Sequence, residues 1–569
     1  MVGSLLLALA LLAGHPDTAT IAEADTLPRT AEVGGIVIGG VEEDRLRLRQ
    51  IHGRSPASGF LLRSTHAPLP LTPDRGPGEI SWKPLPARVR VAHNPGGPRS
   101  LNEGALWGGR GMNVLASGGV AGSWGPAHLV LAPEIAWQEN RDFDHPTALV
   151  PSRTRFSPPW RVGHQSADLP VRFGDRSYAV LGLGQSRIGV EAGPVAVGLS
   201  NEHRWWGPGI RNAILLSNNA PGFPHLFVQP VSGIDTRVGE IDASYLLGAL
   251  SPSVLSAAPR GNNLRSFNAV GVTFRPVVEP NLTLGVARAV YASAGGGAAL
   301  PQHALDALLR WGTGDAEAGV PTEQLLSLFA RWLFPAAGAE AYVEWTRADL
   351  PGSIRELLAD PQRSQGYTVG LQWASGTGEE GAALRLQTEL TNLEQDGSWR
   401  ADGPASFYVS PVVTDGYTNR GRVVGAAIGP GASSQWLAFD VLSPGWSAGA
   451  FLERIRWDND AYYTQPVGRA YFAHDVSVTA GARGSVMTSV GAFDLELARE
   501  HRHNFLFQNP SYFFGDDLAT DVIQLLVRME YRFTVPGGSA GASHAPPPPA
   551  PAPTAAPDAS SPRAGVQAP

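Results

Sequence analysis

The 569-residue chain contains no cysteine and one lysine, Lys83. The first absence excludes disulfides, thiolate metal sites and a cysteine nucleophile. Lys83 precedes Pro84, so there is no Gly-Lys-Ser/Thr phosphate loop, and Schiff-base chemistry would rest on one side chain. Charged residues make up 17%, against about a quarter in ordinary globular domains. With 44 basic and 51 acidic residues the net charge is −7, which lacks the basic footprint of a nucleic-acid binder. No nucleic-acid partner is expected. Beyond the N-terminus no apolar run approaches the roughly 20 residues of a spanning helix. His-Glu-x-x-His is missing, and Gly182-Leu183-Gly184 lacks the third glycine of a dinucleotide loop. No cofactor is expected, and nothing points to an enzyme.

Glycine (67), proline (48) and aromatics (15 Trp, 12 Tyr, 20 Phe) are plentiful, as in a β protein rich in turns. Ser4 to Ala13 is an apolar stretch of signal-peptide length, and Ala22-Glu23-Ala24 offers a small-x-small cleavage site. Residues 1–24 are therefore read as an export signal and 25–100 as a periplasmic segment contributing to a plug. A weak helical pattern lies over 41–63. Residues 535–569, rich in Gly, Ser, Ala and Pro, read as a disordered tail.

From about residue 100 to Phe533 apolar and polar residues alternate with period two. In Leu384-Arg385-Leu386-Gln387-Thr388-Glu389-Leu390-Thr391 one face is mainly Leu and the other Arg, Gln, Glu and Thr. Asn268–Phe274, Asn281–Val286 and Leu525–Phe533 behave alike, and such segments are strands with one apolar face. The pattern runs on without a domain break, and its second face holds Arg, Glu and Gln. This suits a wall with lipid outside and a polar lumen. The fold class is all-β: a transmembrane antiparallel barrel over 101–534, with about 16–18 strands and short helical segments as plug or loop. Leu305, Leu308, Leu309, Leu325, Leu326, Phe329 and Leu333 predict a helical insertion near 302–334.

The densest cluster is Asn201-Glu202-His203-Arg204-Trp205-Trp206-Gly207-Pro208-Gly209, continuing to Ser217-Asn218-Asn219-Ala220-Pro221. Gly207, Pro208 and Gly209 make a structural turn. An indole beside Asn amides and Arg guanidinium is sugar-recognition chemistry; an interfacial aromatic girdle reads the same residues structurally. Exposure of the Trp pair would favour sugar contact, and burial of both would oppose it. Glu340 and Glu344, about 13 Å apart along one strand face, are too distant for a glycosidase pair and fit a charge ladder. His501 and His503 share a strand face as a metal pair with no third ligand legible, so no metal site is assigned.

The Arg-Trp-Trp-Gly-Pro-Gly…Leu-Ser-Asn-Asn-Ala-Pro run resembles the hallmark of the capsule assembly protein Wzi family. Trp107-Gly108-Gly109-Arg110-Gly111, Arg331-Trp332-Leu333-Phe334-Pro335 and Asp415-Gly416-Tyr417-Thr418-Asn419-Arg420-Gly421-Arg422 are similar to family segments. The resemblance implies an 18-stranded outer-membrane barrel plugged from the periplasm by helices. It further implies a non-enzymatic lectin that attaches capsular or extracellular polysaccharide to the cell surface. The polysaccharide-binding candidates are Arg204, Trp205, Trp206, Asn218, Asn219, Tyr417, Asn419 and Arg420. The expected partners are that polysaccharide and outer-membrane lipid, with the protein a monomer. The alternative function is a general porin for small solutes. A hydrolase acting on lipid or glycan lacks an assembled catalytic constellation.

Overall fold

The computed structural model describes residues 38–57, 59–65, 80–146, 155–158, 160, 167–256, 263–309, 321–348, 350, 354–359, 363–395, 406–464, 473–508 and 520–533. The expected export signal (1–24) and tail (535–569) lie outside them. Among the described residues, 21 strand segments close into one antiparallel barrel. Three pairs of segments are halves of interrupted strands: Ala127–Leu131 with Glu134–Gln138, Tyr178–Gly182 with Arg187–Ala192, and His225–Pro230 with Ile234–Asp235. The wall therefore has 18 strands.

The barrel closes where Ile80–Asn94 pairs with Val522–Phe533, Arg88 opposite Arg532 and His93 opposite Val527. The wall thus begins at Ile80 rather than at residue 101. Pro84 and Pro86 obscure this strand, since proline cannot donate to a ladder. They sit near a register shift between Leu85 and Arg88, in the half that pairs only with Gly111–Trp124.

Alternation decides which face meets lipid. Along Ala383–Asn392, Leu384, Leu386 and Leu390 are exposed outward, while Arg385, Gln387, Glu389 and Thr391 are buried inward. No helix among the described residues is long and apolar enough to cross a membrane; the strands do so. Connections at one end are short turns, such as Thr488–Gly491 and Leu442–Trp446, while those at the other run to 40 residues (393–432). Short turns mark the periplasmic end of an outer-membrane barrel. Trp82, Trp124, Trp332, Trp373 and Trp446 all lie exposed towards that end, forming an aromatic girdle at the lipid interface.

The expected helix near 302–334 is corrected. Thr322–Phe334 is a wall strand, pairing with Leu282–Ser293 and Ala339–Ala348. Its inward face packs apolar residues on the plug: Leu325 and Phe329 join the main core with Trp206, and Leu333 meets Leu48 and Ile51. With Leu325, Phe329 and Leu333 inward and Leu326, Leu328 and Trp332 outward, the period-two signal is blurred. Among the described residues of that stretch, the helical ones belong to Gly297–His303 and Asp306–Leu309. They lie against the outer wall, where Asn268 Nδ2 donates to Ala304 O at 3.0 Å and Arg288 Nη1 to Ala307 O at 3.1 Å. Asn268 points outward because its neighbour Gly271 faces inward against Leu62 and Trp206.

Two sources fill the lumen. From the periplasmic side comes the helix Val41–Ile51, whose first turn carries Glu42, Glu43 and Asp44, a favourable placement for acids against the helix dipole. Arg47 reaches the wall carboxylate Glu340 at 2.5 Å, and Asp44 accepts from Arg385 at 2.8 Å. Gln50 Oε1 accepts from Arg331 at 2.6 Å. From the outer side, the connections 201–224 and 406–432 fold inward. Trp206, Ile214, Leu216, Tyr408, Tyr417 and Val424 of these connections lie within one buried cluster.

Candidate functional site

The motif run builds the plug. Arg204–Trp206 pairs antiparallel with Leu62–Ser64, Trp206 opposite Leu62 and Trp205 opposite Arg63. A strand inside a filled lumen has both faces covered, so both indoles are buried. Trp206 enters the main core; Trp205 packs on Ile38 and Ala213 under the Arg63 guanidinium, 5.4 Å from its ring. Gly207 adopts φ +118° with its α-carbon beside Glu344, and a Cβ on Gly209 would fall 1.9 Å from Asn212 O. The wall then receives the loop. Glu389 accepts the backbone N–H groups of Ile210, Arg211 and Asn212 at 2.5–3.1 Å, and Glu344 accepts that of Ile214 at 3.2 Å. Glu344, read with Glu340 as a charge ladder, thus anchors the plug, as Glu340 does through Arg47.

The other sugar-contact candidates are largely internal too. Arg204 donates to Gln229 at 3.0 Å, and burial pushes its pKa down to about 10. Asn218 donates to Ile38 O at 3.3 Å, Tyr417 to Leu215 O at 2.8 Å and Asn419 to Pro221 O at 2.9 Å. Arg420 is exposed at the outer end, in a left-handed turn with φ +49°. Both indoles are buried, Trp206 wholly within the core and Trp205 at the border of the inner cavity. Of the eight candidates, Asn219 alone lines the outer cleft described next.

Two cavities border the plug and the outer connections. One, about 330 Å³, is bounded by the plug helix and the inward face of the wall. Nine arginines and eight carboxylates line it, so it favours neither sign of solute. Many are mutually engaged: Arg88 and Arg90 hold Glu530 at 2.6 and 2.9 Å, Arg385 and Arg483 hold Asp440 at 3.0 and 2.8 Å, and Arg528 meets Glu103 at 2.7 Å.

The second cavity, about 240 Å³, is assembled by the long connections at the outer end. Trp107, Trp160, Trp457 and Phe507 supply aromatic surface; Arg99, Arg422, Arg502, Asn219, Asp458 and Asp475 supply polar groups. Their orientations are fixed from behind. Trp160 Nε1 donates to Asp458 at 2.7 Å, and Trp457 Nε1 to Ser477 at 2.9 Å. Arg502 forms a double hydrogen bond to Asp475, both at 2.7 Å, and its guanidinium lies 4.7 Å from the Trp457 ring. Arg422 donates to Leu106 O at 2.6 Å and to Asn219 Oδ1 at 2.7 Å. Burial lowers its pKa to about 10, with Glu103 and Tyr178 opposing, and it stays charged at neutral pH.

Trp107, Gly421 and Arg422 lie in segments whose resemblance to the Wzi family was noted above, so distant parts of that pattern meet in one cleft. The sequence pattern of the Capsule assembly protein Wzi family matches residues 101–439. The chain belongs to that family. No curated protein matches it. Among solved structures, Wzi of Escherichia coli, described as an outer-membrane protein involved in group 1 capsule assembly and a carbohydrate-binding β-barrel, is 12% identical. That alignment covers 79% of this chain and 84% of Wzi, with a TM-score of 0.50. OccAB2 of Acinetobacter baumannii is 10% identical over 80% of this chain and 97% of its own (TM-score 0.40). OpdL of Pseudomonas aeruginosa is 10% identical over 80% and 99% (TM-score 0.39). At such identities the likeness to Wzi is one of fold, and this family member is an outer-membrane barrel.

One serine motif is accounted for structurally. Gly445-Trp446-Ser447-Ala448-Gly449 has the spacing of a hydrolase elbow, but it is a periplasmic turn entering a wall strand. Ser447 Oγ lies 2.7 Å from Ser485 Oγ, its partner on the neighbouring strand.

Proposed function

We propose that this barrel holds capsular or extracellular polysaccharide at the cell surface without cleaving it, and that the outer cleft is where the polymer binds. The observation that carries the reading is the meeting of Trp107, Trp160 and Trp457 with Arg99, Arg422 and Arg502 at the outer end. An indole face packs on the apolar side of a pyranose, while fixed guanidinium groups and carboxylates bond its hydroxyls and acidic substituents. The filled lumen favours this reading over an open porin. The barrel acts as a monomer, its apolar band against outer-membrane lipid.

The test is binding of the detergent-purified protein to its host's extracellular polysaccharide. Trp107→Ala and Arg422→Ala are expected to weaken binding at least tenfold in protein that still folds. Binding unchanged in both variants would move the polymer away from the cleft; no binding by the unaltered protein would sink the reading.

A further inference from the structure

We propose a divalent transition-metal site, best suited to zinc, formed by His501, His503 and Asp521 on the outside of the barrel at its outer rim. Alternation along Gly491–His503 sends Glu500 and Arg502 into the lumen and leaves His501 and His503 together on the opposite face. Their ring centroids are 3.8 Å apart. The third group comes from the closing strand. Arg502 pairs with Val522, which sets Asp521 beside the two rings.

Both imidazoles converge on one carboxylate oxygen: His501 Nε2 lies 2.8 Å and His503 Nδ1 3.1 Å from Asp521 Oδ2. The three ligand atoms fall within 4.8 Å of one another. Tetrahedral zinc with bonds of about 2.0–2.2 Å separates neighbouring donors by about 3.3–3.5 Å. Each His–Asp pair therefore needs to open by only a few tenths of an ångström to admit an ion. The other carboxylate oxygen, Oδ1, accepts the Asn504 backbone N–H at 2.9 Å, the kind of outer contact that fixes a ligand's orientation. His503 is half exposed, which leaves room for solvent as a further ligand.

Two imidazole nitrogens and one carboxylate oxygen suit zinc, copper or nickel, whereas calcium and magnesium require oxygen-rich cages. A bound ion would fasten the last outer connection to the strand that precedes it. The site lies on the opposite face of the wall strand from Arg502 of the proposed polysaccharide cleft, and its test by metal binding does not depend on that cleft.

The experiment is calorimetric titration of zinc chloride into the full-length, untagged, chelator-treated protein in detergent, with calcium chloride as control. One zinc per chain is expected, with no heat from calcium. His501→Ala/His503→Ala and Asp521→Asn should each weaken zinc binding at least tenfold, with the folded barrel confirmed by its heat-dependent gel mobility. Zinc binding that survives in both variants would overturn the site, as would none in the unaltered protein. Equal binding of calcium would overturn the argument from the donor set. Cobalt(II) provides a second readout: an intense visible absorption of tetrahedral type is expected, and its absence would count against the geometry.

Discussion

Trp206 lies directly opposite Leu62 in a two-stranded pair enclosed by the barrel, so the Arg204–Trp206 strand is bonded to the N-terminal segment. The indole is fully buried among Leu62, Leu216 and Phe267. Trp206→Ala should cost about 3–5 kcal/mol, the usual effect of emptying a large aromatic site. A lower urea midpoint of the gel-mobility transition would register it; an unchanged midpoint would mean that the motif strand does not stabilise the fold.

Gly209 tests the turn. A methyl group there would meet Asn212 O at 1.9 Å, so the backbone of 209–212 must move and withdraw its N–H groups from Glu389. Gly209→Ala should speed hydrogen exchange of the amides of Ile210, Arg211 and Asn212 and leave the wall strands protected.

Glu389 ties that loop to the wall through three backbone amides and also accepts the Tyr342 hydroxyl at 2.8 Å. Removing the carboxylate leaves several buried donors unpaired, at about 1–3 kcal/mol each. In planar bilayers the unaltered barrel should carry little steady current. Glu389→Ala should add flickering openings, and deletion of 38–64 should give a lasting conductance. A large steady current through the unaltered protein would revive the porin reading.

His203 makes the plug acid-sensitive. Burial, reinforced by Arg88 and Arg90, pushes its pKa down to about 4, against about 6.5 in an unfolded chain. The unfolded state therefore takes up the proton first. The stability is intact above pH 6.5 and is lost as the pH falls from 6.5 to about 4, by roughly 3 kcal/mol in all. His203→Gln should flatten that window when urea midpoints are compared across pH.

The wall was legible in the sequence because a lipid-facing strand must alternate. Leu384, Leu386 and Leu390 face out as that pattern implies, opposite Arg385, Gln387 and Glu389. Thr322–Phe334 escaped because its inward side packs Leu325, Phe329 and Leu333 on the plug, which adds apolar residues to both faces and gives a false helical period. The N-terminal helix Val41–Ile51 was only faintly visible, since its Arg47 is buried against the wall carboxylate Glu340, which no local pattern announces.

The site was less legible for a related reason. Adjacent tryptophans suggest one ring in the wall and one in the lumen, but a strand folded inside a barrel hides both. Trp107 and Arg422 stood within recognisable segments; Trp160 and Trp457 had no local signal and join them only through the folded connections. Asp521, likewise, becomes a neighbour of His501 and His503 only through strand register.

Arg532 of the last strand reaches back to Glu42 of the first helix, and this contact ties the two ends of the described chain together. The helix also bonds to Arg331, Glu340 and Arg385 in the middle of the chain. One short helix thus holds strands from the middle and the end of the wall at once, so that drawing it out of the lumen breaks ion pairs and hydrogen bonds on several strands together.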